Sequence, residues 1–61
     1  MPPEFLKFSE VCKRTTFSLS TLKRMVADGR FPRPVRIGTH RVAFVAADVD
    51  RWMQAQVEEA A

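Results

Sequence analysis

With 61 residues, the chain is expected to form one domain near the lower size limit for unaided folding, which excludes a large enclosed active site. Cys12 is its only cysteine, which excludes an internal disulfide or cysteine-based zinc site and favours a reducing compartment, with Cys12 as a small core residue. The charge of +3 is uneven, because residues 1–45 hold nine Lys or Arg against three Asp or Glu, and residues 46–61 hold one against four. A basic body with an acidic tail is typical of polyanion binders.

The N-terminal segment is predicted to be a short lead into the domain. Pro2 and Pro3 oppose a regular start, so residues 1–4 are expected to be flexible and residues 5–61 to form the single domain. The first apolar anchors of that domain are Phe5, Leu6 and Phe8.

A short first helix is predicted to run from Ser9, its N-cap, to about Arg14. Val11 and Cys12 fall on one side of this helix and are expected to face inward. Residues 15–16 interrupt the pattern and form a turn before the next helix.

The second predicted helix is capped, basic and amphipathic. Ser18 can accept a hydrogen bond from a free amide of the first turn, and Gly29 ends the helix. Its apolar stripe consists of Leu22, Met25 and Val26. The hydroxyls and cations on its outer side are Ser20, Thr21, Lys23 and Arg24. A short helix, a turn and a capped second helix form a helix-turn-helix outline.

A hairpin is predicted next. The prolines of residues 31–34 prevent a helix there, and the Phe31 side chain is expected to pack in the core. Residues 35–37 and 42–44 are β-formers on either side of a polar, basic tip, Gly38-Thr39-His40-Arg41. This arrangement predicts a two-stranded wing.

The last helix is predicted to begin near Ala47 and to close the core. Asp48 and Asp50 suit its first turn, and Trp52 is expected to be its largest core contributor. Its apolar stripe consists of Val49, Trp52, Met53 and Val57. The other aromatic residues assigned to the core are Phe17, Phe31 and Phe44. The predicted class is mostly α with a small β-hairpin.

Five motifs carry a family resemblance over about residues 6–54: Ser9-Glu10-Val11, Ser18-x-Ser20-Thr21-Leu22-x-Arg24, Gly29-x-Phe31-Pro32-x-Pro34-Val35-x-Ile37-Gly38, Val42-Ala43-Phe44 and Asp48-Val49-Asp50-x-Trp52. Together they resemble the AlpA-like phage and prophage regulators, in the MerR-like winged helix-turn-helix group that also contains excisionases. The resemblance implies DNA binding, either at promoters of mobile elements or as an excision factor that bends DNA and directs an integrase.

The chain departs from that family pattern at four positions. Thr16 stands where glycine is common, and it would be strained if the turn needs a positive φ. Leu19 replaces a basic or polar residue, so either one phosphate or base contact of the family is absent here or Leu19 touches a thymine methyl group instead. Lys23 occupies an often aromatic position. His40 stands where the wing usually has arginine, a cation that Arg41 can supply.

The candidate DNA-binding residues lie on the second helix, the connection after it and the wing. The helix is expected to enter the major groove, while the wing tip follows the minor groove or the backbone. His40 has no partner ligands at metal spacing, so a phosphate or minor-groove contact is preferred to a metal. The set is Ser18, Ser20, Thr21, Lys23, Arg24, Arg33, Arg36, Thr39, His40 and Arg41.

Three functions remain open: a transcriptional regulator, an excision factor that recruits integrase, and an adaptor. The adaptor would bind integrase or RNA polymerase through Leu19 and the acidic helix, with DNA contact secondary. Catalytic residue sets and phosphate-binding loops are missing, so no enzyme activity, cofactor or metal is expected. Copies are expected to associate on repeated DNA sites.

A cytoplasmic protein associated with the bacterial nucleoid is expected. No apolar run approaches the ~20 residues that span a bilayer, and the N-terminus lacks the basic-then-apolar order of a signal peptide.

Overall fold

The computed structural model describes residues 3–61, so Met1 and Pro2 of the predicted lead lie outside the described residues. Along the chain the elements are β1 (Phe5–Leu6), α1 (Phe8–Thr15), α2 (Leu19–Ala27), β2 (Val35–Ile37), β3 (Arg41–Val45) and α3 (Ala46–Ala60). The predicted fold class, mostly α with a helix-turn-helix, a wing and a C-terminal helix, is confirmed.

The sheet has three antiparallel strands in the order β1-β3-β2, one more than the predicted two-stranded hairpin. Leu6 of β1 pairs with Phe44 of β3. The Ala46 amide donates a hydrogen bond of 2.8 Å to the Glu4 carbonyl. A strand of two residues is too short to give a recognisable alternation of apolar and polar residues in the sequence. Burial of the Leu6 side chain in the core stabilises it here.

The wing forms as predicted, except at one position. Ile37 lies opposite Arg41, so Arg41 belongs to β3, and its predicted place in the tip is wrong. The remaining turn consists of residues 38–40. Gly38 has a φ of +70°, which glycine adopts without the steric cost that a side chain brings.

α1 does not begin after a Ser9 cap, so that prediction is wrong. The Lys7 amide donates a hydrogen bond of 3.0 Å to Oε1 of Glu10. The N-cap is therefore Lys7, two residues before the predicted cap, and the Glu10 carboxylate satisfies its free amide. Val11 is buried and Cys12 packs half-buried against the core, as predicted.

The turn after α1 requires a left-handed residue. Thr16 has a φ of +66°, a conformation that costs a residue with a Cβ about 1–2 kcal/mol and is a genuine outlier for a β-branched one. The turn needs a positive φ at this position, so the Thr16 backbone is strained.

Aromatic rings form the centre and one margin of the core. Phe31 and Phe44 are buried, as predicted, with ring centroids 5.6 Å apart in an edge-on arrangement. Phe17 and Trp52 are half-buried and pack against this cluster. Trp52 is less buried than predicted, because its indole N–H donates a 2.9 Å hydrogen bond to the Arg30 carbonyl at the surface. The buried cluster is Leu6, Val11, Leu22, Phe31, Phe44, Ala46 and Val49.

α3 packs only through its first half. Val49 is fully buried, whereas Val57 is 63% exposed, so the predicted inward position of Val57 is wrong. All of residues 54–60 are exposed, because these turns extend past the core. Asp50 also differs from the prediction, since it lies beyond the first turn and forms an ion pair of 3.3 Å with Arg14 of α1.

Replacing Thr16 with glycine is expected to stabilise the protein by up to about 1 kcal/mol, because the left-handed cost that glycine removes, about 1–2 kcal/mol, exceeds the cost of about 0.5–1 kcal/mol from a freer unfolded chain. Thr39→Gly is the matched control, since Thr39 lies in a turn and is not among the positive-φ residues of the described chain. This control should be destabilised by about 0.5–1 kcal/mol through the added freedom of the unfolded chain. Urea unfolding followed by Trp52 fluorescence measures the free energy of unfolding of both variants. A Thr16→Gly variant less stable than the wild type would contradict the inference that Thr16 is strained.

Candidate nucleic-acid interface

Ser18 caps α2, as predicted. The Thr21 amide donates a hydrogen bond of 3.2 Å to the Ser18 Oγ, and that hydroxyl donates one of 2.9 Å to the Thr21 Oγ1. Thr21, predicted on the outer side of the helix, is half-buried. Ser20 remains exposed. The cap fixes the direction in which the first turn of α2 presents its hydroxyls.

Gly29 ends α2, as predicted. The Arg30 amide donates to the Met25 carbonyl at 2.9 Å, and the Gly29 amide donates to the Val26 carbonyl at 3.2 Å. With a φ of +75° at Gly29, these bonds form a Schellman motif. The chain leaves the helix at a defined angle and enters the core at Phe31.

The outer face of α2 combines hydroxyl, cationic and apolar side chains. At 3.6 residues per turn, the exposed positions fall within an arc of about 140°, on the side away from Leu22, Met25 and Val26. This outer face of α2 consists of Leu19, Ser20, Lys23, Arg24 and Ala27. Three of the predicted DNA contacts, Ser20, Lys23 and Arg24, are thus brought together on one surface.

The cations of α2 and the wing are not neutralised within residues 3–61. The ion pairs of this part of the chain join Arg14 to Asp50 and Arg51 to Asp48, on α1 and α3. The predicted DNA-contacting cations are all exposed and take part in neither pair: Lys23, Arg24, Arg33, Arg36 and Arg41. Exposed, unpaired cations are available to phosphate groups.

The wing does not present all its candidate residues together. Arg36 lies opposite Val42, and Ile37 lies opposite Arg41. Since successive side chains of a strand alternate between faces, Arg36 and Arg41 lie on opposite faces of this ladder. Thr39 and His40, the two candidate residues of the turn, are exposed at the tip.

Phe31 joins α2 to the wing through the core. Its ring centroid is 4.7 Å from that of Trp52 and 5.6 Å from that of Phe44. The Trp52 bond to the Arg30 carbonyl fixes the same connection from α3. Sequence reasoning missed this bond, because nothing in the local pattern pairs an indole with a carbonyl 22 residues away. Arg33 follows on the connection and is exposed.

One shallow cavity of about 200 Å³ lies beside the part of β3 that pairs with β2 but not with β1, and its lining includes Phe5, Lys7, Arg41 and Val42. Within the described residues, no three His, Cys, Asp or Glu side chains are grouped so that they could hold a metal ion. Over the same residues, no helix has the length and apolar character needed to cross a membrane.

A family model described as prophage CP4-57 regulatory protein (AlpA) matches residues 4–57. The chain therefore belongs to the AlpA family, a family of phage regulatory DNA-binding proteins, and the resemblance predicted from its motifs is confirmed. Comparisons with curated proteins and with solved structures found no match.

Replacing Ser18 with alanine is expected to lower the free energy of unfolding by about 1 kcal/mol, because the variant has no side-chain cap on α2. Ser18→Asp should retain the wild-type value, since a carboxylate also caps. Ser20→Ala is the matched control, because the Ser20 hydroxyl accepts no hydrogen bond from a backbone amide within the described residues. Urea unfolding compares the three variants, and equal destabilisation by Ser18→Ala and Ser20→Ala would contradict the assigned cap.

Proposed function

We propose that this AlpA-family chain binds double-stranded DNA sequence-specifically and regulates transcription on a mobile element. The outer face of α2 supports the proposal most directly, because Ser20, Lys23 and Arg24 are exposed there without an acidic partner in the described residues. Short hydroxyls and long cations near a helix N-terminus suit a helix that enters the major groove.

In the proposed complex, α2 reads base edges with its outer face. Arg24 can form two parallel hydrogen bonds to guanine, and the Ser20 hydroxyl can donate to or accept from several bases. Lys23 contacts phosphate. Ser18 and Thr21 are engaged in the cap, so they contact a phosphate beside the positive end of the α2 dipole rather than a base.

The wing and the connection before it hold the DNA backbone in the same proposed complex. Thr39 and His40 enter the adjacent minor groove or follow its phosphates from the tip. Arg33 contacts phosphate from the connection. Because Arg36 and Arg41 lie on opposite faces of the wing, each contacts a different segment of the DNA backbone.

One domain of this size covers little DNA, so useful specificity requires several copies on repeated sites or a bound partner. Integrase and RNA polymerase are the proposed partners, and the bacterial nucleoid is the proposed location. The exposed second half of α3, which carries Glu58 and Glu59, is the surface that favours the adaptor function as a second candidate.

The first experiment is affinity selection of sheared genomic DNA by the purified protein at near-physiological salt, followed by sequencing of the retained fragments. Enriched sites that overlap a promoter support a transcriptional regulator. Repeated sites beside an integrase attachment region would instead identify an excision factor. No enrichment would reject autonomous DNA binding and favour the adaptor.

The affinity for a selected site is expected to fall with salt, with a slope of log affinity against log salt of about −4 to −5 for about four to six phosphate contacts. The double variant Lys23→Ala with Arg24→Ala should lose specific binding. Its remaining non-specific binding should depend less on salt, with the slope of log affinity against log salt reduced by about one unit for each phosphate that the variant no longer neutralises. Titration of a labelled duplex at several salt concentrations measures both quantities.

Lys7→Ala with Lys13→Ala is the matched control, because it removes the same net charge from exposed positions outside the proposed interface. This control should retain specific binding. Equal weakening in the two double variants would show that net charge, rather than the outer face of α2, determines affinity, and a slope near zero would reject the proposal.

A further inference from the structure

Leu19 is the one large apolar side chain on the outer face of α2. It is 47% exposed and does not belong to the core cluster or to the side chains packed against it. Lys23 lies one turn further along the same side, as residues four apart do on a helix. Leu19 therefore stands among the polar side chains proposed to read DNA, and the core does not account for its position.

The chemistry of leucine restricts what it can recognise in that position. Leucine has no hydrogen-bonding group, so it contributes nothing to binding a phosphate or the polar edge of a base. The apolar group that a base pair presents in the major groove is the C5-methyl group of thymine. Contact between Leu19 and that methyl group removes both from water, which is favourable.

We propose that Leu19 contacts a thymine methyl group in the major groove and makes thymine part of the target sequence at that position. The inference rests on the proposed function. Since Leu19 is the first residue of α2, the thymine lies at the edge of the bases that Ser20 and Arg24 read. The contact adds sequence preference without adding charge.

The test uses the DNA site obtained by genomic selection, with each thymine replaced in turn by deoxyuridine, which lacks the methyl group and keeps the base pair. At one or two positions the affinity of the wild-type protein should fall about fourfold. Leu19→Ala should bind the unmodified site about fivefold more weakly, with an unchanged salt slope. Its affinity should fall no further when deoxyuridine occupies those positions.

Val57→Ala is the matched control, because it also shortens an exposed apolar side chain, 63% exposed on α3, outside the proposed interface. It should bind every duplex as the wild type does. Far-UV circular dichroism checks that each variant is folded.

The result distinguishes failure of this inference from failure of the proposed function. If wild type and Leu19→Ala are weakened equally at every deoxyuridine position, DNA binding stands and the thymine contact is rejected. If Leu19→Ala binds the unmodified site as the wild type does, Leu19 does not contact DNA and the inference is likewise rejected. If the wild-type protein binds no selected DNA, the proposed function fails first and the Leu19 contact fails with it.

Discussion

The packing of Phe31 between Phe44 and Trp52 holds the helical half of the molecule and the wing in one arrangement. The connection that contains Phe31 includes two prolines, which lack an amide donor and prevent regular structure. Its position therefore depends on the buried ring and on the hydrogen bond from Trp52 to the Arg30 carbonyl. Edge-on aromatic pairs contribute about 0.5–1.5 kcal/mol beyond their buried area, a large share of the stability of so small a domain. A nucleic-acid interface that spans α2 and the wing requires this fixed relation.

The charged residues that form ion pairs and the exposed, unpaired cations lie on different elements. The acidic side chains Asp48 and Asp50 pair with arginines on α3 and α1, while the cations of α2 and the wing keep no acidic partner within residues 3–61. Clustered like charge costs the folded protein stability through self-repulsion. A polyanion held against that surface would relieve the repulsion, so the feature that weakens the free protein strengthens the proposed complex.

Two residues conflict with local preference. Thr16 adopts a left-handed conformation that β-branched residues avoid, and Leu19 leaves much of a large apolar side chain in water. Such conflicts occur where another constraint outweighs local stability. For Thr16 that constraint is the sharp turn that sets α2 against α1. For Leu19 the proposed constraint is recognition, because no contact within the described core requires it there.

Local interactions made much of this fold predictable from the sequence. The Ser18 cap, the Gly29 stop and the Gly38 turn depend on residues within a few positions of one another, and the proline segment excluded a helix by itself. The second helix could therefore be assigned with most of its outer face, including Ser20, Lys23 and Arg24. Tertiary structure alone decided the pairing of β1, the placement of Arg41 in β3 rather than in the tip, and the exposure of Val57. The pairing of β1 and the exposure of Val57 depend on a partner far along the chain or on the lack of one, and a periodic pattern contains no information on which distant surface covers it. The place of Arg41 depends on the register of the hairpin, in which Arg41 pairs with Ile37.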